Sequence, residues 1–272
     1  MASHTTRARG RGFRALSLAV LLLSAPLTGC ALPAAGHPAV GPPAPASADQ
    51  PAVAAAASRP PAARPTPTPI SYPADGGNQW SYAEGEAPAP GGAGRLWRYR
   101  VAVERDIQGL PVAAFAAEVT RTLSGPQGWT ADGTRQLRRV GRDQAADFTI
   151  YLATPSTRDV LCQDVPDGYT SCRNGARVVL NVARWVKGVP GYGASLAVYR
   201  QYMVNHEVGH RLGMGHERCP GRGRPAPVMQ QQTLGLHGCV PNALPYLDGE
   251  RYTGPSGSYD DPVPPRDRGR SG

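Results

Sequence analysis

From Ala31 to Gly94 the chain is built almost wholly of Ala, Pro, Gly and small polar residues, with no helical or strand periodicity. Such a stretch has too few large apolar side chains to offset its own ordering entropy. Runs such as Arg64-Pro65-Thr66-Pro67-Thr68-Pro69 favour extended polyproline II. The composition therefore predicts a disordered spacer over 30–94. The end of the chain, 253–272, is rich in Pro, Gly, Asp and Arg and is expected to fray. Between them lies one foldable stretch, 95–252, of roughly 155 residues, enough for a single core of ordinary size. It contains no internal repeat.

The first 29 residues read as an address. Arg7, Arg9, Arg11 and Arg14 precede an apolar run from Ala15 to Leu23, and small residues follow. Basic, apolar, small is the layout of a secretory signal peptide. The run is shorter than the ~20 residues that span a bilayer. Leu27-Thr28-Gly29-Cys30 resembles a bacterial lipobox. That resemblance implies that Cys30 is lipidated and becomes the first mature residue, which predicts a membrane partner through a lipid anchor. The expected place is the outer face of the cell membrane, with release to the medium as the variant. The net charge of +9 comes mostly from scattered Arg, several of them in the leader. No basic block is interleaved with aromatics, so nucleic acid is not an expected partner. A monomer is expected.

Five cysteines are present, Cys30, Cys162, Cys172, Cys219 and Cys239. Lipidation of Cys30 removes the odd one. Four cysteines allow three connectivities. Short loops cost less entropy to close, which favours Cys162–Cys172 and Cys219–Cys239.

Alternating Tyr99–Glu104 predicts a strand, and Val112–Leu123 a helix between Pro111 and Gly125-Pro126. Gln136–Val140 and Asp147–Leu152 predict two further strands, and Arg177–Val182 a fourth. Cys162 to Cys172 reads as a loop. Ser195 can cap a long helix starting at Leu196, with Leu196, Tyr199, Met203, His206 and His210 on one face. Strands and a helix followed by a long helix indicate an α+β (mixed) fold.

That helix ends in His206-Glu207-Val208-Gly209-His210-Arg211-Leu212-Gly213-Met214-Gly215-His216. His206 and His210 lie one turn apart and point the same way, so both imidazoles can reach one metal. Glu207 projects beside that position, where it can take a proton from an activated water. Gly213 permits the positive φ that ends a helix sharply and lets His216 return as a third ligand. Three protein ligands with a position left open is the catalytic zinc pattern.

HExxHxxGxxH followed by a turn containing Met is the signature of the metzincin clan of zinc endopeptidases, which Ser195–Gln232 resembles. The resemblance implies one Zn²⁺ and a Met-turn at Ala226-Pro227-Val228-Met229, with Met229 as an apolar floor beneath the metal. It also implies a twisted sheet whose antiparallel edge strand binds an extended peptide. Val178, Val179, Leu180 and Asn181 are the expected edge strand. More broadly, residues from Trp97 to about Tyr246 look like an actinobacterial family of exported proteins of unknown function carrying this motif. Some metzincins place a Tyr two residues after the Met; here that residue is Gln231.

The expected activity is hydrolysis of peptide bonds at the cell surface, with Glu207 as general base. Two alternatives remain at this stage. One keeps the chemistry and takes a peptidoglycan peptide as substrate. The other is a non-catalytic surface binding module that zinc only stabilises; an intact Glu207 argues against it.

Overall fold

The computed structural model describes residues 68–87 and 92–271. The leader, Cys30 and residues 31–67 of the expected spacer lie outside these residues. Among the described residues no helix is long and apolar enough to cross a membrane.

The fold is mixed α/β, a twisted sheet with four helices among the described residues. In chain order the elements are β1 (Tyr72–Pro73), β2 (Trp80–Tyr82), β3 (Arg95–Glu104), α1 (Val112–Leu123), β4 (Arg135–Arg139), β5 (Phe148–Ala153) and α2 (Pro155–Cys162). Then follow β6 (Cys172–Asn174), β7 (Arg177–Asn181), α3 (Val182–Lys187), α4 (Leu196–Arg211), β8 (Tyr246–Leu247), β9 (Glu250–Arg251) and β10 (Gly269–Arg270). The main sheet has the order β2-β3-β5-β7-β6, and β4 also pairs with β3. Strands β3, β4, β5 and β7 run parallel, while β2 and β6 are antiparallel.

Parallel strands need crossovers, and α1 and α2 supply them. One face of the sheet packs Val101, Ile150, Val178 and Leu180 against Phe115 and Val119 of α1 and Tyr202 and Val204 of α4. The other face carries a smaller cluster of Ala153, Cys162 and Val179, flanked by Trp80. Burial on both faces explains why β5 is apolar almost throughout rather than alternating. Two short helices escaped the sequence reading. Helix α2 begins with Pro155 in its first turn, directly after β5. Helix α3 begins where the strand was expected to continue, because the Asn181 side chain caps it by accepting from the Ala183 N–H at 2.9 Å.

Three expectations are corrected. Residues 68–87, read as part of a spacer ending at 94, belong to the folded body. Strand β2 pairs with β3, and Trp80 packs edge-on against Tyr151 at 4.6 Å. The carboxylate of Glu104, fully buried, accepts from the Asn78 N–H (2.8 Å), the Thr154 N–H (2.7 Å) and the Thr157 hydroxyl (2.6 Å). A few aromatic residues and one acceptor shared with distant segments hold what composition alone reads as unfoldable.

The tail is not frayed either: 253–271 lies along the body. Asp267 receives Lys187 at 2.8 Å and the Tyr72 hydroxyl at 3.2 Å, and β10 pairs with β1. Those anchors are polar, so hydrophobic patterning does not see them.

The expected edge strand is an inner one. Val178, Val179, Leu180 and Asn181 are all fully buried in β7, which β5 flanks on one side and β6 on the other. The chain doubles back through Gly175 (φ 57°), so β6, not β7, is the antiparallel edge at this end of the sheet, as β2 is at the other.

Glu104→Ala should lower stability by about 3 kcal/mol, since three donors lose a buried acceptor. Chemical denaturation measures this, and an unchanged midpoint would return 68–87 to the status of a spacer.

Candidate functional site

Helix α4 positions the site. The Ser195 hydroxyl caps it by accepting from the Val198 N–H at 3.3 Å, and Tyr199, Tyr202 and Met203 bury its inner face. His206 and His210 sit one turn apart near its end. Gly213 adopts φ 97°, the turn reverses the chain, and His216 comes back toward the helix. The Nε2 atoms of His206 and His210 lie 3.2 Å apart, and those of His210 and His216 3.1 Å apart.

The outer nitrogen of each ring is held. His206 Nδ1 lies 2.8 Å from the Val228 carbonyl and His210 Nδ1 2.9 Å from the Met214 carbonyl. A carbonyl only accepts, so both Nδ1 atoms carry the hydrogen and both Nε2 atoms present lone pairs. His216 Nδ1 lies 3.0 Å from the Ser258 hydroxyl. Burial, reinforced by the two neighbouring imidazoles, holds His206 well below its ordinary pKa of 6.5. Burial also lowers His210, and burial together with His210 takes His216 down to about 4. All three rings are thus neutral at pH 7, the form that ligates a metal. Lone pairs converging at such distances repel one another unless a cation lies between them, so the three histidines could hold one metal ion.

Glu207 is buried beside them and opens on the same cleft of ≈ 480 Å³. Burial pushes its carboxyl up to about 8, against the opposing pull of Arg158 and Arg173. The cleft is bounded by Thr170, Ser171 and Arg173 before and within β6, and by Gln231 and Leu234 opposite.

Met229 is fully buried under the helix. A methyl group on Gly209 would overlap the Met229 sulfur and the Trp129 ring, which is why the helix carries Gly between His206 and His210. Trp129 donates its indole N–H to the Asn205 carbonyl at 2.8 Å, locking the same turn from the side. The segment that carries Met229 also supplies the Val228 carbonyl to His206. Cystine pairs close both expected loops: Cys162–Cys172 (Cα–Cα 6.0 Å) and Cys219–Cys239 (5.8 Å). The second brackets the Val228-Met229 turn and contributes roughly 3 kcal/mol in the chain-entropy model.

The structure brings His206, Glu207, His210 and His216 to one cleft and packs Met229 against Gly209 of the helix that carries the first three. It does not bring Val178, Val179, Leu180 or Asn181 there. Sequence reasoning missed the Val228 and Met214 carbonyls, which no side-chain pattern signals, and Ser258, which lies in a segment expected to fray.

A mixed α/β domain with a three-histidine cluster and a buried carboxylate in one open cleft is the class that fold and site define. The chain belongs to the family described as "Protein of unknown function (DUF3152)", which matches residues 66–251. That match takes in β1 and β2, in keeping with their place in the fold. No curated protein and no solved structure matches the chain.

Gly209→Ala should destabilise the protein by about 1–3 kcal/mol through overpacking against Met229 and Trp129. A thermal melt unchanged from that of the original protein would mean that Met229 does not press on the helix.

Proposed function

We propose that this protein is a zinc-dependent endopeptidase of metzincin type. The observation that carries the reading is the convergence of three neutral imidazoles on one point, with Glu207 buried alongside in an open cleft. Three nitrogen donors of borderline softness, each with its other nitrogen engaged, suit zinc and leave one position free.

His206, His210 and His216 would hold the metal. Zinc bound there supplies Lewis acidity, which acidifies water and polarises a carbonyl. Glu207 takes the proton from the attacking water and passes it to the leaving amine as the peptide bond breaks. Burial raises its affinity for that proton, and the positive charge of a cation held by the three histidines would favour the carboxylate form that accepts it. Met229 serves as the apolar floor of the Met-turn. The free side of β6 offers backbone donors and acceptors to an extended peptide, which would bind by strand addition beside the histidines. This moves the substrate strand from β7 to β6.

The placement proposed is outside the membrane, on a lipid at Cys30. Two cystines support export, since they persist in oxidising compartments. Relative to a peptidoglycan-specific hydrolase, a general endopeptidase needs only the cleft and β6.

His206→Ala and His210→Ala should each abolish zinc binding at micromolar metal, from a stoichiometry near one in the original protein. Glu207→Gln should keep the zinc and the fold yet lose at least ~10²–10⁴-fold in peptide turnover, since an amide accepts no proton. A proteomic cleavage screen of the zinc-loaded protein against that variant tests both substrate and mechanism. Identical cleavage products at comparable rates would sink the assignment of Glu207.

A further inference from the structure

The chain beyond β9 runs past the histidines instead of leaving the body. Residues 255–257 lie against 216–218: Arg218 donates its N–H to the Pro255 carbonyl at 2.7 Å, and Gly257 donates to the His216 carbonyl at 3.0 Å. Gly254 makes the approach possible, because any side chain there would collide with the Arg218 carbonyl. The Tyr259 ring stacks on His237 at 3.4 Å, and its hydroxyl accepts from the Cys219 N–H at 3.2 Å. Asp261 meets His237 at 2.8 Å. Val263 then forms part of the cleft wall, and Asp267 fastens the far end to Lys187. The strap is pinned on both sides of Ser258.

We propose that Ser258 is a positioning residue for His216, and that the strap carrying it is a working part of the metal site. The inference rests on the zinc reading above. Of the three rings, His206 and His210 are oriented by carbonyls, which can only accept. His216 is oriented by a hydroxyl, which can accept or donate, and which arrives from 42 residues away. The third ligand is therefore the least firmly held, and its orientation depends on the strap being in place. Outer-sphere partners of this kind are worth about 10–100-fold in metal affinity.

The test is zinc affinity of the full chain by competition with a chelator, with the cobalt-substituted absorption spectrum as a second readout. Ser258→Ala should weaken zinc binding by about tenfold or more and alter the cobalt spectrum, with the melting temperature of the metal-free protein unchanged. Ser258→Thr, which keeps the hydroxyl, should restore both. Zinc affinity of Ser258→Ala within twofold of the original protein overturns the proposal. If the original protein itself bound no zinc, the metal reading would fail and this one with it.

A separate observation concerns Arg173. In the β6–β7 register Arg173 stands opposite Val178, so the two side chains share a face. Val178 packs into the core on the side of α4, and Arg173 accordingly lines the cleft with Glu207 and His210. The other carboxylates lining it are engaged: Arg158 holds Asp164 at 2.9 Å and Asp167 at 3.4 Å. With Glu207 reserved as base, the guanidinium faces the place where a peptide added to β6 would run.

The geometry points to Arg173 as a specificity-determining residue that selects a carboxylate on the peptide substrate. A planar guanidinium binds a carboxylate with two parallel hydrogen bonds, which neutral side chains do not match. The carboxylate could be an internal Asp or Glu side chain or a free C-terminus. Matched peptides separate the two: Glu against Gln near the scissile bond, each with a free-acid or an amidated end. The original protein should favour the carboxylate peptide by about tenfold in kcat/KM. Arg173→Gln should abolish that preference with zinc content intact, and Arg173→Glu should turn it toward Lys. Equal rates for the charged and neutral peptides, or a preference that survives Arg173→Gln, overturns the assignment. Failure to cut any peptide would instead defeat the peptidase reading.

Discussion

The hydrogen bond between His206 Nδ1 and the Val228 carbonyl joins the two halves of the site. It fixes the tautomer of the most buried imidazole, and it ties helix α4 to the turn that carries Met229. That turn presses on Gly209 from below, and the Cys219–Cys239 cystine brackets it. The Met214 carbonyl performs the same service for His210 at the point where the helix reverses. Neither bond alone contributes more than about 1–2 kcal/mol. Their consequence is directional: two lone pairs are aimed at one point before any ligand arrives, so little ordering entropy is left to lose on binding.

The sheet gives this arrangement a rigid back. Buried β5 and β7 present Ile150, Val178 and Leu180 to the helices, and α4 lies across them. Glu104 draws residues near Asn78 and the start of α2 onto the end of β3. Within α2, Arg158 pairs with Asp159 and gathers Asp164 and Asp167 from beyond the helix, which shapes the loop that leads into β6. That loop forms one side of the cleft. The Cys162–Cys172 cystine holds β6 in place against the tendency of a three-residue edge strand to detach.

Much of this was legible locally. The amphipathic run from Leu196, its Ser195 cap, the spacing of His206 and His210, and Gly213 all act within a few residues of one another. Helix period and turn chemistry are enough to read them. The pairing of cysteines followed from loop entropy. Helix α3 was hidden because Asn181 serves both the end of a strand and the cap of a helix. The place of β7 in the sheet was hidden because a run such as Arg-Val-Val-Leu-Asn looks the same on an edge as inside; only burial on both faces distinguishes them.

Composition misled where anchoring is polar and long-range. Residues 68–87 and 253–271 have few large apolar side chains, yet Glu104, Trp80, Asp267 and β1–β10 pairing hold them. Gly254 counted toward disorder in the sequence and allows close contact in the fold. Short-range geometry along the chain thus sufficed for the helix that carries His206 and His210, for three imidazoles that can face one point, and for the carboxylate beside them. Only the tertiary structure decided which strand is the open edge, which carbonyls orient the histidines and that a distant serine reaches His216. Those depend on contacts between segments tens of residues apart, and no local period encodes them.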